Sequence, residues 1–352
     1  AMAERMVKNR NDDFTEDDRL VSGRYVWGLW EAGASLDAIN WYEKARAQTN
    51  NADQMMSEYP SNDLEAFVNS GANVFNRNKA LDLRKRCMPP KFIGELEAHA
   101  DYGEQALEGI TFEEKPNGRL KIWDKPDLKD GKSNIITDRY LTVVDVGGRS
   151  MKADWSVIVV FDRVRMKRGG GPAVAAQWRG HCDMDQLAWL AARIAKWYGE
   201  ALLVIESNTL ETRDPDRYVD GDQSGFILNQ IRDSYPNLYA RRQSPEDILE
   251  GKPRKYGFHT NTATKPMVIS NLVRVVREGL YIERDEGCID EYLTYERRPN
   301  GSYGAVTGKH DDMLMTRAIG LHICFNEMRI PRDCASRDGN GPLRRVWQPS
   351  FF

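Results

Sequence analysis

Two apolar segments that end in a carboxylate constrain the fold of this chain more than any other feature of its sequence. In residues 141–146, Asp145 interrupts an aliphatic run, and in residues 201–206 Glu206 closes a second one. A carboxylate at the end of a buried strand is costly to desolvate unless another group compensates its charge. Each acid alone could be a solvated strand end, but together they favour a shared compensator, for which a divalent cation is the simplest candidate.

A third acidic position opens a predicted helix near the C-terminus. Asp311 and Asp312 follow His310 and begin a helical pattern that extends to about residue 326. An acid at this place could be no more than a helix cap. The helical spacing of the apolar residues admits either acid on the buried face, so both stay candidates. The order strand, strand, helix favours one common site over three separate caps.

The hydrophobic pattern from residue 139 onward predicts an α/β domain. Three strand candidates lead to a helix and a fourth strand, at 139–146, 155–164, 173–179, 183–198 and 201–206. The Gly169-Gly170-Gly171-Pro172 turn would join the second and third strands as a hairpin. Further helices and short strands follow, the latter at 238–240 and 281–282. This order best matches a ribonuclease H-like topology, a mixed central sheet flanked by helices.

The chain before this domain has a different pattern. Residues 1–117 are expected to be mainly helical, with an aromatic-rich helix over 24–47 and a basic helix over 79–87. A polar region then extends to a strand candidate at 120–123. We therefore expect a division into residues 1–117, an α/β domain over 118–330 and a flexible tail over 331–352.

Composition excludes few functions. The 50 basic and 53 acidic residues leave a net charge of −3, so any surface for nucleic acid must be local. Five dispersed cysteines without a Cys-x-x-Cys pair indicate neither a zinc site nor a disulfide framework. No apolar stretch approaches the roughly 20 residues of a membrane span, so no membrane association is predicted.

The acids suit phosphodiester hydrolysis. That reaction needs an activated water on one side of phosphorus and stabilised charge on the other, which two divalent ions roughly 3.5–4 Å apart supply. Asp145 on a central strand is placed to bridge the ions, while Glu206 and Asp311 or Asp312 complete their coordination. A ligand set of oxygens without cysteine favours Mg²⁺ or Mn²⁺ over zinc.

Two further residues near these acids are weaker candidates. Asp154 lies beyond the Gly147-Gly148 turn and is a possible additional acid behind the ligands, although capping a turn is the commoner role. His310 is a candidate to contact a scissile phosphate or a ligand, with an exposed helix-entry histidine as the alternative. Both are candidates to support the metal ligands, and their alternative roles stay open.

Basic residues flank the acids in sequence and are candidates to hold DNA. These are Arg149, Lys152, Arg241, Arg242, Lys255 and Lys265. Such side chains bind phosphates without reading bases, so contact independent of DNA sequence is expected. Any one cluster could instead be solvated surface.

Over roughly residues 24–326, the chain resembles the C-terminal part of the large terminase subunit, the DNA-packaging motor and nuclease of tailed bacteriophages. The motifs that carry the resemblance are Glu58-Tyr59-Pro60-Ser61 with Ala66-Phe67, Val144-Asp145-Val146-Gly147, Ile205-Glu206-Ser207-Asn208, Thr264-Lys265-Pro266 and Gly308-Lys309-His310-Asp311-Asp312. Their order along the chain is more specific than any one of them. By motif match, Asp145, Glu206 and the Asp311/Asp312 pair take the metal-binding roles.

The resemblance implies an endonuclease that cuts concatemeric viral DNA at the start and end of packaging, in the host cytoplasm. It implies double-stranded DNA, the portal protein and the small terminase subunit as partners. It also implies that residues 1–117 hold the end of the motor domain and the linker. The two other readings are a transposase- or resolvase-type enzyme of the same fold and a non-catalytic DNA-binding or docking module.

One departure from the family concerns its ATPase. Complete members carry a phosphate-binding loop, whereas here Gly131-Lys132-Ser133 has the right ending but Pro126 stands where the first glycine would fall. The backbone nest that would hold a nucleotide phosphate is therefore not predicted. The sequence is interpreted as the nuclease part of such a protein, without ATP hydrolysis.

Overall fold

The computed structural model describes residues 29–30, 33–48, 59, 73–129, 135–147, 155–207, 223–298 and 301–334. Two compact units divide the chain between Asn73 and Val74, and each is taken by itself. In the first unit, helix α1 (Leu36–Gln48) begins after Ser35, whose hydroxyl accepts the Ala38 N–H at 3.2 Å. Trp41 on this helix packs edge-on against Tyr59, with ring centroids 4.8 Å apart.

The second unit holds a large mixed sheet and the helices that cover it. Its helices are α2 (Arg77–Arg84), α3 (Met184–Trp197), α4 (Gln223–Ile231), α5 (Pro245–Leu249), α6 (Thr264–Glu278), α7 (Glu286–Leu293) and α8 (Asp312–Asn326). Its strands are β1 (Phe92–Glu97), β2 (Thr111–Glu114), β3 (Leu120–Ile122), β4 (Ile135–Thr137), β5 (Tyr140–Asp145), β6 (Ser156–Asp162), β7 (Ala173–Gly180), β8 (Leu202–Ser207), β9 (Phe258–His259), β10 (Tyr295–Arg297), β11 (Tyr303–Ala305) and β12 (Arg332–Cys334). Short 3₁₀ turns occupy Glu104–Leu107 and Val164–Arg168.

The strand order in the sheet is β2-β1-β3-β7-β6-β5-β8-β9. Strands β5, β6 and β7 form an antiparallel meander, β8 lies parallel to β5, and β9 lies parallel to β8. A meander, a helix and then parallel strands on the other side of the first strand are the predicted ribonuclease H-like arrangement. The predicted α/β fold with a mixed sheet flanked by helices is therefore confirmed.

The sheet is covered on both faces, which explains why β5, β6 and β8 are almost continuously apolar. Val144 and Ile205 belong to the core that α3 and α4 cover. Helix α8 contacts β5 and β6. Since successive side chains of a strand alternate between faces, Asp145 and Glu206 are directed away from the α3 face, toward the face on which α8 lies.

Several short elements differ from their sequence-based prediction. The polar region before residue 120 contains β1 and β2, which extend the sheet beyond β3, so the sheet takes in residues before the boundary expected at 118. Residues 238 and 282 make only isolated bridges, to Leu203 and Ala173, while β9 supplies the edge strand. At the start of the expected tail, β12 pairs with β4. None of the described helices is long and apolar enough to cross a membrane.

Candidate metal centre

The register of the two central parallel strands places Asp145 beside Glu206. Val144 pairs with Ile205, so each acid is the next residue on its strand, at the same edge of the sheet. Asp145 keeps a partly accessible surface, whereas Glu206 is only 4% exposed. The strand ends bring these two predicted residues together because β5 and β8 are direct neighbours.

The pKa of Asp145 reflects the other carboxyl groups at this edge of the sheet. Burial and the neighbouring Glu206 carboxyl, with which it shares a hydrogen bond, raise the pKa of Asp145 well above its usual range. Asp312 and Asp311 raise it further. The other three predicted acids therefore all raise the pKa of Asp145, and in the absence of a cation the fold favours the protonated form of Asp145.

Helix α8 delivers the other two acids in different environments. Asp312 is buried, its carboxylate accepts the Trp155 N–H at 3.2 Å, and His310 Nδ1 lies 3.8 Å from it. Asp311 is the N-cap residue and is partly exposed, with its Oδ2 3.8 Å from Lys265 Nζ. The pattern alone did not distinguish the two acids, and in the structure both belong to the cluster.

The acids fit a hard divalent cation. Glu206 Oε2 is buried and has no hydrogen-bond partner among the described residues, so this charged oxygen lacks the partner that a buried carboxylate requires. Carboxylates that repel one another and an orphaned oxygen suit Mg²⁺ or Mn²⁺. Within the described ranges, no group of three or more His, Cys, Asp or Glu side chains already forms a metal-holding arrangement. Asp145, Glu206 and the two α8 acids would hold the ion by adjusting their side chains.

The basic residues predicted to hold DNA take different positions. The guanidinium of Arg241 donates to the Gly257 carbonyl at 3.0 Å and to the Ser207 hydroxyl at 3.2 Å, so it supports the strand end beside Glu206. Arg242 and Lys255 are exposed next to it, and Lys265 faces Asp311. Arg149, Lys152 and Asp154 lie outside the described residues.

Two buried residues near the acids escaped the sequence analysis. Glu291 on α7 accepts the Leu314 N–H at 2.7 Å, and burial raises the pKa of Glu291 to about 8, an effect that this N–H opposes and Asp312 reinforces. The Tyr295 hydroxyl is buried and has no hydrogen-bond partner among the described residues. Burial raises the pKa of Tyr295, and so do Asp311, Tyr303 and Glu206, which identifies these groups as neighbours. Both residues sit in patterns typical of ordinary core, so no local signal marked them.

No protein-family model matches the sequence, and comparison with curated proteins finds no relative. Solved structures do resemble this chain. The large terminase nuclease of thermophilic phage G20c with bound magnesium is 18% identical, with a TM-score of 0.41, over 72% of this chain and 97% of that one. The large terminase nuclease domain of Thermus phage P74-26 is 16% identical, with a TM-score of 0.37, over 69% and 94%. The human cytomegalovirus terminase nuclease domain, soaked with Mn and inhibitor-bound, is 10% identical, with a TM-score of 0.33, over 54% and 85%.

Proposed function

We propose that this chain is a divalent-metal-dependent DNA endonuclease of the terminase type. The observation that carries the proposal is that Glu206 and the Asp311/Asp312 pair, from a second strand end and a helix start, all lie near enough to Asp145 to raise its pKa. The buried Glu206 Oε2, which has no hydrogen-bond partner among the described residues, supports it. A purely structural role gives no reason for three acids to lie close to a fourth. A site for hard cations does, because such ions are held by several carboxylate oxygens.

The roles of the residues follow from their placement. Asp145, at the end of a strand in the interior of the sheet, would bridge two Mg²⁺ or Mn²⁺ ions, and Glu206 and an α8 acid would complete their coordination. When bound, such ions supply an activated water and neutralise charge on the leaving oxygen. Lys265 and His310 lie beside the α8 acids and would orient a phosphate, since both are donors at the partly exposed side of the cluster.

The finer assignments rest on the resemblance of the sequence motifs. We propose that the substrate is concatemeric viral DNA in the host cytoplasm and that the portal protein and small terminase subunit are partners. We also propose that residues 1–117 hold the end of a motor domain and its linker. Asp154, Arg149 and Lys152 stay proposed as supporting acid and DNA contacts.

Supercoiled plasmid cleavage tests the proposal. The purified chain should convert plasmid to nicked and linear forms with Mg²⁺ or Mn²⁺ and should be inactive with EDTA. Asp145→Ala should lower the rate at least 100-fold, since it removes the proposed bridging ligand. Asp233→Ala is the matched control because that carboxylate is 85% exposed and pairs only with its neighbour Arg232 among the described residues. Cleavage by Asp145→Ala at the parental rate would refute the assignment.

The same assay separates the alternatives. Strand-transfer or resolved-junction products would indicate a transposase- or resolvase-type enzyme. DNA binding without metal-stimulated cleavage, with either ion, would indicate a docking module with a degenerate site.

A further inference from the structure

Helix α8 has an unusual N-terminal cap, and it bears on how the acids are held. An Asp at the N-cap ordinarily turns its carboxylate back to accept the N–H of the second or third helical residue. Asp311 occupies the N-cap of α8 but makes no such hydrogen bond. The third helical residue is Leu314, and its N–H is donated to a residue from another helix, Glu291 of α7, at 2.7 Å.

Glu291 is buried at a cost that needs an explanation. Its side chain is 6% exposed, and its second oxygen, Oε1, is buried without a hydrogen-bond partner among the described residues. Burying a carboxylate with only one of its oxygens satisfied is unfavourable. The N-terminus of α8 compensates this cost at Oε2, because the helix dipole and the N–H groups of the first turn favour a negative charge there.

We propose that Glu291 is a positioning residue: it caps α8 in place of Asp311 and thereby leaves the Asp311 carboxylate directed to the metal site. This inference rests on the proposed function, because it assigns Asp311 to that site. Without Glu291, the Leu314 N–H lacks its acceptor, and the carboxylate of the N-cap residue, Asp311, is the ordinary acceptor for an N–H at this position. The site would then lose an acid to the helix that carries it.

The test compares two substitutions of Glu291 with a control on the same helix. Glu291→Leu removes the acceptor and keeps the volume, whereas Glu291→Gln keeps an oxygen that can accept the Leu314 N–H. Glu286→Leu makes the same chemical change at an exposed position of α7. Three readouts are taken: Mn²⁺ affinity by electron paramagnetic resonance, deuterium uptake of a peptide spanning 311–316, and kcat and KM for plasmid cleavage.

Glu291→Leu should weaken Mn²⁺ binding and lower kcat by about 10- to 100-fold, the usual effect of losing a partner that orients a metal ligand. Deuterium uptake of the first turn of α8 should rise, and KM for DNA should change little. The Mn²⁺ affinity and kcat of Glu291→Gln should stay within about threefold of the parental values. Those of Glu286→Leu should equal the parental values. Combining Glu291→Leu with Asp311→Ala should add little to either alone, since both remove the same carboxylate from the site.

Two results would overturn the proposal. One is a folded Glu291→Leu chain that binds Mn²⁺ with parental affinity. The other is a Glu291→Gln chain with a protected first turn of α8 but weakened Mn²⁺ binding, since that would make Glu291 a ligand. Where the Leu variant does not fold, Glu291→Gln still tests the proposal, because loss of protection in its first turn of α8 without weaker Mn²⁺ binding would separate the cap from the metal site and contradict it. Failure of the proposed function would appear separately, as a parental chain that binds Mn²⁺ and does not cut DNA.

Discussion

The negative charge of Asp145 is poorly supported by this fold. The pKa of Asp145 is raised by burial and by Glu206, Asp312 and Asp311. For an acid whose pKa is higher in the folded state, ionisation favours unfolding, so stability falls as pH rises above the unfolded pKa of about 4. A bound cation would reverse this effect by favouring the ionised form.

Asp145→Asn should therefore stabilise the metal-free chain while abolishing cleavage. We expect its melting temperature in EDTA at pH 8 to rise by about 2–4 °C, the shift that ~1 kcal/mol produces in a domain of roughly this size. The gain should shrink at pH 5.5, nearer the unfolded pKa, and Mn²⁺ should stabilise the parental chain more than the variant. Differential scanning calorimetry measures both. An equal Mn²⁺ effect on both chains would show that Asp145 does not contribute to the site.

At the level of residues, the sequence was sufficient to predict the charged groups that interrupt apolar patterns. Asp145 and Glu206 end aliphatic strands, and Asp311 and Asp312 begin a helix. Each therefore interrupts a hydrophobic pattern that is visible in the neighbouring residues of the sequence. Glu291 and Tyr295 fit the patterns of their neighbours in sequence, and only their neighbours in the folded structure indicate a role. Arg241 was predicted to hold DNA, yet its contacts to Gly257 and Ser207 depend on a chain reversal that no spacing reveals.

Helix α8 lies close to the sheet because of one glycine. A Cβ added at Gly320 would stand 2.4 Å from Cε2 of Phe161 on β6, and that ring is fully buried. The separation of α8 from the sheet also sets the distance from Asp311 and Asp312 to Asp145. Packing at the middle of the helix thus affects the geometry at its start.

Gly320→Val should destabilise the chain and reduce activity together. Overpacking a core typically costs about 1–3 kcal/mol, and the better helix propensity of Val than Gly offsets only a few tenths of that. Ser270→Val on the exposed face of α6 is the control, since Ser and Val have similar propensities. Urea denaturation gives the free energies of unfolding. A Gly320→Val chain as stable as Ser270→Val would show that α8 can move away from β6 freely.

A buried ion pair ties α8 to the segment that precedes α7. Arg317 and Glu283 are both fully buried, and the two guanidinium hydrogen bonds measure 2.9 and 3.0 Å. Arg317→Met should cost about 3–5 kcal/mol, since it leaves the Glu283 carboxylate buried without its cation. Adding Glu283→Gln should restore part of the loss, as measured by chemical denaturation. A single variant that unfolds at the parental denaturant midpoint would contradict this.

At the level of elements, long periodic segments were predictable and short ones were not. The segments that form β5, β6, β7, α3 and β8 are apolar enough to indicate buried elements without tertiary information. Strands β1 and β2 lie at the outer edge of the sheet, and ion pairs such as Lys115–Glu97 on their exposed side give them the composition of a loop. Strand β9 has two residues, too few for a period, and forms because β8 offers it an open edge.

On the scale of the whole molecule, a net charge of −3 must coexist with the proposed substrate, DNA, which is a polyanion. The proposed solution is local. Arg242, which follows Arg241 in the chain, and Lys255, whose carbonyl accepts the Arg241 N–H, are both exposed. The Arg241 side chain donates to the hydroxyl of Ser207, directly after Glu206. Positive charge therefore lies beside the acid cluster, where it would offset the repulsion between DNA and the carboxylates.

Charge reversal at this place should weaken DNA binding in a salt-dependent way. Arg242→Glu and Lys255→Glu should each lower the affinity for a short duplex, and each should reduce the slope of log K against log salt by about 0.9, the value for one lost phosphate contact. Arg277→Glu is the control: it is 63% exposed, near the opposite end of α6 from Lys265, about 18 Å away along the helix axis. Fluorescence anisotropy in EDTA measures binding without cleavage. Equal slopes for all three variants would mean that general surface charge, rather than the edge beside Glu206, attracts the DNA.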